Sequence, residues 1–312
     1  MAVTNLIAPL PNFNLGTDQI SCMTTLPCVY GNQSYYDTLY IGTSNGDLWR
    51  YFRGGNTLQS IPLAGYTLSG EITGINVDPN GTYLFVSAPY DNHLLRIATS
   101  QVLTTLTPTS TTSFSSGFSG IRGIIQASDG NFYTASSQTG SISKISLGGV
   151  VTLNWVSILS PCQLCQASDG KIYVASSNGT VSQITLGGQV VQPWATVGGP
   201  SDQLGIVFAN DGNLYVTNKT TSTISKITLG ALVTLNWVTT GMSNPSSVYQ
   251  ANDGYLYVTN IGDNTITRIG LDGTIIQGWA TNVGNGPRSL IQATDGNLYV
   301  ACYEENLSLI HI

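Results

Sequence analysis

The sequence predicts an all-β fold built from one repeated unit, and three observations carry that reading. The phrase ANDGNLYVTN at residue 209 returns as ANDGYLYVTN at 251, with worn forms at 127 (ASDGNFYTAS), 167 (ASDGKIYVAS) and 293 (ATDGNLYVAC). The aromatic of that phrase falls at Tyr40, Phe85, Tyr133, Tyr173, Tyr215, Tyr257 and Tyr299, at intervals of 45, 48, 40, 42, 42 and 42 residues. No useful length of chain keeps the 3.6-residue apolar period of a helix. A period near 42 residues with four strand-like runs per unit predicts a seven-bladed β-propeller of four-stranded antiparallel blades.

The copy around Leu204 shows the runs in order: LGIVFA, NLYVTN, STISKIT and LVTLNWV. Asp211-Gly212 separates the first two, because aspartate tolerates positive φ and glycine adopts it freely. Turn compositions such as KTT, SNG and IGDN follow the second run, and LGG or LDG follows the third. The second run is apolar at successive positions, so both its faces need covering, which a blade between two others receives. The last copy stops at NLYVACYEENLSLIHI, after three strands, while the amino-terminal VTNLI resembles the fourth-run VTLNW. The first residues are therefore expected to complete the last blade and close the ring, which removes exposed edges. One domain over 1–312 results, with blades at about 20–65, 70–110, 119–158, 160–199, 202–242, 244–283 and 286–312 plus a closing strand at 2–10. The low-complexity run Thr104–Gly120 reads as a lengthened link between the second and third blades.

DGNLYVTN followed by STISKITLG is similar to the repeat of NHL-type propellers and of the streptogramin (virginiamycin B) lyases, closely from about 120 onward and in outline over 20–119. The resemblance implies a propeller. For the lyases it further implies a histidine general base near a divalent metal held by acidic and histidine side chains. Propellers host many unrelated activities, so function has to be argued from the site.

Composition narrows the classes. Charged residues make up 8% of the chain, against about 25% in an ordinary soluble domain, and polarity comes from Ser, Thr, Asn, Gln and Gly. Such a surface suits an assembly component or a neutral ligand such as a sugar. A net charge of −6 without a basic stripe argues against a nucleic-acid partner. The first residues lack a charged n-region and a long apolar run, and nothing approaches the ~20 apolar residues of a membrane span, so no membrane insertion is expected. Cys22, Cys28, Cys162, Cys165 and Cys302 are odd in number and unevenly spaced, which is no disulfide framework.

Four patterns invite a chemical reading. Asp129, Asp169, Asp211, Asp253 and Asp295 precede the turn glycines, where turn chemistry accounts for them better than a ring of metal ligands. Trp155, Trp194, Trp237 and Trp279 stand 21 or 22 residues after the aromatic of their copy, as packing residues of the outer strand. Arg50, Arg96, Lys144, Lys226 and Arg268 share one place in the third run, with Gln183 and Leu309 in two other copies; such cations cover apolar surface with their stems. Cys162 and Cys165 form a CxxC inside a first strand, where alternation sends them to opposite faces, and they read as buried thiols. No metal and no cofactor is expected.

The face with the second-to-third-strand turns and the links between blades is the expected contact rim. It would present Tyr90, Asp91, His93, Arg122, Asp202, Lys219, Asp263, Arg288, Tyr303, Glu304 and Glu305. The chain has two histidines, His93 and His311, and no second histidine or glutamate stands near His93 as the lyase site requires. The expectation is a non-catalytic platform whose partners are structural proteins of a larger assembly, such as a virus or phage tail, fibre or capsid accessory, or a host-surface glycan. A lyase-like enzyme and an intracellular NHL-like adaptor are the alternatives.

Overall fold

Strand follows strand along the whole described chain, and the pairing order is that of successive meanders. The computed structural model describes residues 7–9, 15, 19–25, 38–52, 57–63, 66–77, 82–88, 93–98, 111–114, 118–200, 205–293, 295–303 and 308–310. Of these, 7–9, 52, 57, 93, 111–114, 277, 278 and 308–310 are described by backbone alone. Among the described residues, 28 strands form seven four-stranded sheets, shared between two compact units.

The first unit, residues 1–119 and 283–312, holds three sheets. One unites β1 (Ile7–Pro9) with β26 (Pro287–Gln292), β27 (Leu298–Cys302) and β28 (Ser308–Ile310). The next runs from β2 (Ile20–Thr25) through β3 (Thr38–Thr43) and β4 (Leu48–Phe52) to β5 (Thr57–Ile61). The third holds β6 (Gly74–Val77), β7 (Tyr83–Ala88), β8 (His93–Ala98) and β9 (Thr111–Phe114). The amino-terminal strand does complete the last sheet: Ile7 pairs with Ile310, Ala8 with Leu309 and Pro9 with Ser308.

The second unit, residues 120–282, holds four sheets. They are β10 (Ile121–Gln126), β11 (Phe132–Ser136), β12 (Ser141–Ile145) and β13 (Val151–Ser157); then β14 (Pro161–Gln166), β15 (Ile172–Ser176), β16 (Thr180–Ile184) and β17 (Val190–Thr196). β18 (Ile206–Phe208), β19 (Asn213–Asn218), β20 (Thr223–Thr228) and β21 (Val233–Val238) follow, then β22 (Pro245–Gln250), β23 (Leu256–Asn260), β24 (Thr265–Ile269) and β25 (Ile275–Thr281).

Second strands are buried on both faces, as their unbroken apolar runs require: β11, β15, β23 and β27 are buried at every position. The core is the set of layers between successive sheets. Tyr133 and Ala135 of β11 meet Ile172 and Val174 of β15, and Tyr173 and Ala175 meet Leu214 and Val216 of β19. In the first unit, Tyr40 and Leu48 meet Leu84 and Val86, while Leu39 and Ile41 meet Tyr299 and Ala301.

Two expectations need correction. The run Thr104–Gly120 does more than link: β9 lies within it and is the fourth strand of its sheet, with Leu94 opposite Phe114 and Ile97 opposite Thr111. The blade drawn to residue 110 therefore extends through Phe114. Thr-Thr-Ser-Phe has the β-branched and aromatic content of a strand, and the unpaired edge of β8 supplies the reason to use it.

The DG turn also differs. Gly130 N–H donates to Ala127 O and Ala127 N–H to Asn131 O, each at 2.9 Å. This is a three-residue loop with glycine in the left-handed region, at φ 78° for Gly130 and 79° for Gly212, while no turn aspartate has positive φ. Aspartate is there for its side chain.

Outer strands carry a bulge. Ile142 faces Val156 but Lys144 faces Thr152, and Asn154 at φ 49° takes up the extra length. Ser141 Oγ donates to Asn154 Oδ1 at 2.6 Å, and Thr223 Oγ1 does the same to Asn236 at 2.9 Å in β21.

Candidate functional site

The turn aspartates, third-strand cations and outer tryptophans, read separately from the sequence, are parts of one arrangement. Asp211 Oδ1 accepts the backbone N–H of Asn213 at 3.1 Å, which makes the turn. Its Oδ2 accepts Tyr215 OH at 2.7 Å and Lys226 Nζ at 3.0 Å. Lys226 stands directly across the ladder from Tyr215, and its Nζ lies 5.3 Å from the Tyr215 ring and 5.4 Å from the Trp237 ring. The two rings meet at 4.9 Å. Asp129, Tyr133, Lys144 and Trp155 repeat it, as do Asp253, Tyr257, Arg268 and Trp279.

In one of the two sheets where the cation is absent, Gln183 Nε2 donates to Tyr173 OH at 2.8 Å, and Lys171 pairs with Asp169 at 3.3 Å. The cations therefore do more than lay stems over apolar surface. Lys144, Lys226 and Arg268 neutralise the carboxylate that holds the tyrosine of their own repeat. Partial burial works to raise Asp129, Asp169 and Asp211, but the donated hydrogen bonds outweigh it and leave each below the usual carboxylate value. Burial pushes up Tyr133, Tyr173, Tyr215 and Tyr257 and the aspartate beside each adds to it, while at Tyr173 the hydrogen bond from Gln183 works the other way. The arrangement is a strut that ties the turn to the second, third and outer strands.

A second repeated contact shows that the repeated phrase does not begin at alanine. It begins one residue earlier, with Gln126, Gln166, Gln250 and Gln292. Gln250 Nε2 donates to Gly254 O at 3.0 Å and to Asn210 Oδ1 at 2.8 Å, while its Oε1 accepts Asn210 N–H at 2.8 Å. Gln166 makes the same bonds to Gly170 O, Ser128 Oγ and Ser128 N. Each glutamine thus closes its own hairpin, and Gln166 and Gln250 also grip the preceding one.

The rim residues fall as follows. In the second unit, Arg122 occupies a first-strand bulge, exposed, and its Nε donates to Ser137 Oγ at 3.2 Å. Lys219 lies in the β19–β20 turn, and Asp263 in the β23–β24 turn accepts Thr265 Oγ1 at 2.7 Å. These three stand on three different sheets. In the first unit, Arg288 and Tyr303 come together, with the guanidinium 3.7 Å from the ring centroid. Arg288 also reaches Glu71 Oε1 at 3.7 Å, a partner the sequence reading did not name. The available signal was the scarcity of acids in the chain and the position of Glu71 three residues before the first strand of its sheet. His93 opens β8 with its backbone opposite Ala88. Its side chain, Tyr90, Asp91, Asp202, Glu304, Glu305, Cys28 and His311 lie outside the described residues.

The CxxC does not form a pair. Cys162 is the inserted residue of a bulge, its Sγ 3.7 Å from Ser160 O, and Cys165 packs with Tyr173, Ile206 and Leu214 between sheets. Burial pushes the Cys165 thiol up, which makes it a poor nucleophile. Among the described residues no three His, Cys, Asp or Glu side chains converge as a metal site would need.

Comparison with solved structures shows the fold. A streptogramin B lyase superposes with a TM-score of 0.79 at 17% identity, covering 100% of this chain and 99% of that one. A catalytically inactive histidine-to-alanine variant of virginiamycin B lyase from Staphylococcus aureus, with quinupristin, gives 0.78 at 14% identity and 99% coverage of both chains. The WD40 β-propeller domain of Doa1 gives 0.76 at 11% identity, covering 98% of this chain and 97% of that one. No curated protein sequence matches. The fold is an all-β propeller with four-stranded antiparallel blades. With the family's sequence profile matching residues 73–308, the chain belongs to the virginiamycin B lyase family.

Proposed function

We propose that this chain uses the lyase-family propeller as a non-catalytic binding platform in a larger assembly, such as a virus or phage particle. Its seven sheets are taken as blades of one ring, which full-length coverage against the streptogramin B lyase supports. The contact face is the one bearing the second-to-third-strand turns, and it meets a protein or a neutral glycan. The observation that carries the reading is the placement of the two histidines. By sequence the chain's two histidines belong to different repeats, His93 to the second and His311 to the last. General acid–base chemistry needs its groups within reach of one substrate. Five of the ten cations, Lys144, Lys171, Lys226, Arg268 and Arg288, are engaged with carboxylates of the chain itself, which shifts contact with a partner toward hydroxyl and amide groups.

Family membership favours a second reading, a lyase that opens a cyclic depsipeptide ring. One experiment separates the two: incubation of the protein and its His93→Ala variant with quinupristin, followed by chromatography of the products. The platform reading expects neither protein to open the ring faster than buffer. Turnover by the parent that His93→Ala abolishes would establish the lyase instead.

A further inference from the structure

The outer strands of the second unit carry a feature that the rim reading leaves unused. β13, β17, β21 and β25, with sequences VTLNWVS, VVQPWAT, VTLNWV and IIQGWAT, contain no Asp, Glu, Lys or Arg. Edge strands ordinarily carry charge, lysine above all, to discourage association. Here apolar side chains stand out at recurring places. Leu153 (37% exposed) and Leu235 (54%) precede the tryptophan by two residues, and Val191 (51%) and Ile276 (42%) precede it by three. Val150 (70%) and Leu232 (69%) project from the turns that lead into β13 and β21.

These patches adjoin across sheets. The Trp155 ring lies against the turn entering β17, where a Cβ on Gly188 would meet it at 3.3 Å, and Trp237 lies in the same way against Gly273 before β25, at 3.5 Å. The bulges at Asn154 and Asn236 break the regular edge, so a partner would not dock here by adding a strand. Contact has to be side chain on side chain.

We propose that this edge is a self-association surface on which a second copy of the chain packs. Each copy carries −6, so approach is opposed by charge except over a strip that has none. A partner with charged side chains would bury them against leucine and valine without a counter-charge, a costly exchange. A second copy presents the same uncharged strip, and VTLNWV occurs identically in β13 and β21, so one patch can face its own kind as a two-fold contact requires. Several short patches of this kind give weak single contacts whose effect grows with the number of copies held together. This surface is separate from the rim, so the inference stands whichever reading of the rim holds.

The test is sedimentation velocity of the full chain from about 1 μM to about 1 mM, the range in which weak contacts register. Reversible association is expected at the upper end. It should weaken at least tenfold in Leu153→Asp/Leu235→Asp, whose exposed positions leave folding intact, as a thermal melt would verify. Added salt should leave association of the parent unchanged or strengthen it, because screening removes the repulsion between copies. A chain that stays monomeric throughout overturns the proposal. So does association that ignores both substitutions or dissolves as salt rises.

Discussion

Asp211 receives four donors, from Asn213, Tyr215 and Lys226 side chains and the Asn213 backbone, with about a fifth of its side chain exposed. Removing it leaves the buried Tyr215 hydroxyl without its acceptor. Asp211→Ala is therefore expected to cost about 1–3 kcal/mol, and Tyr215→Phe about 0.5–1.5 kcal/mol, read from urea unfolding midpoints. Protonation gives the same strut a pH signature. The folded-state values of Asp129, Asp169 and Asp211 lie below the ordinary 3.8. Their contribution is present at neutral pH and is lost as pH falls through 3.8 and below. Unfolding free energy measured between pH 7 and pH 2.5 should fall on the acid side, and Asp211→Ala should fall less steeply than the parent because one of the struts is already gone.

At the scale of the element, the hairpin is held by its own turn and by its neighbour. Gln250 ties the end of β22 to the turn before β23 and to Asn210 in the preceding sheet's turn. Gln250→Leu removes bonds in both directions and is expected to lower stability by about 1–3 kcal/mol, with amide exchange accelerated first at Asn210, whose N–H Gln250 accepts. Much of this element could be read in advance. Strand order and turn positions are local properties, written in Asp-Gly pairs and apolar runs. The Asp–Tyr–cation–Trp strut was visible as three unconnected periodicities. Joining them needs the ladder register that puts Tyr215 opposite Lys226 and the bulge that shapes the outer strand bearing Trp237. β9 was missed for the opposite reason: Thr-Thr-Ser-Phe carries no hydrophobic alternation of its own, and its partner β8 supplies the template.

For the whole molecule, the decisive pairing joins chain ends. β1 lies on β28, which otherwise would expose the edge of the last sheet. Deletion of residues 1–9 is expected to lower the melting temperature and, because an open edge recruits other strands, to increase light scattering on heating. A deletion that melts and scatters like the parent would show the pairing to be dispensable. Sequence by itself determined the repeat, the four-strand unit, the hairpin turns and the use of an amino-terminal strand by the last sheet, since each is a short pattern repeated often enough to be recognised. Only tertiary structure decided that the turn aspartate serves the tyrosine and cation, that glutamine links successive hairpins, and that Arg288 meets Glu71 and Tyr303. Those contacts join residues far apart along the chain, and a side chain's partner depends on register and packing between sheets, which no local pattern specifies.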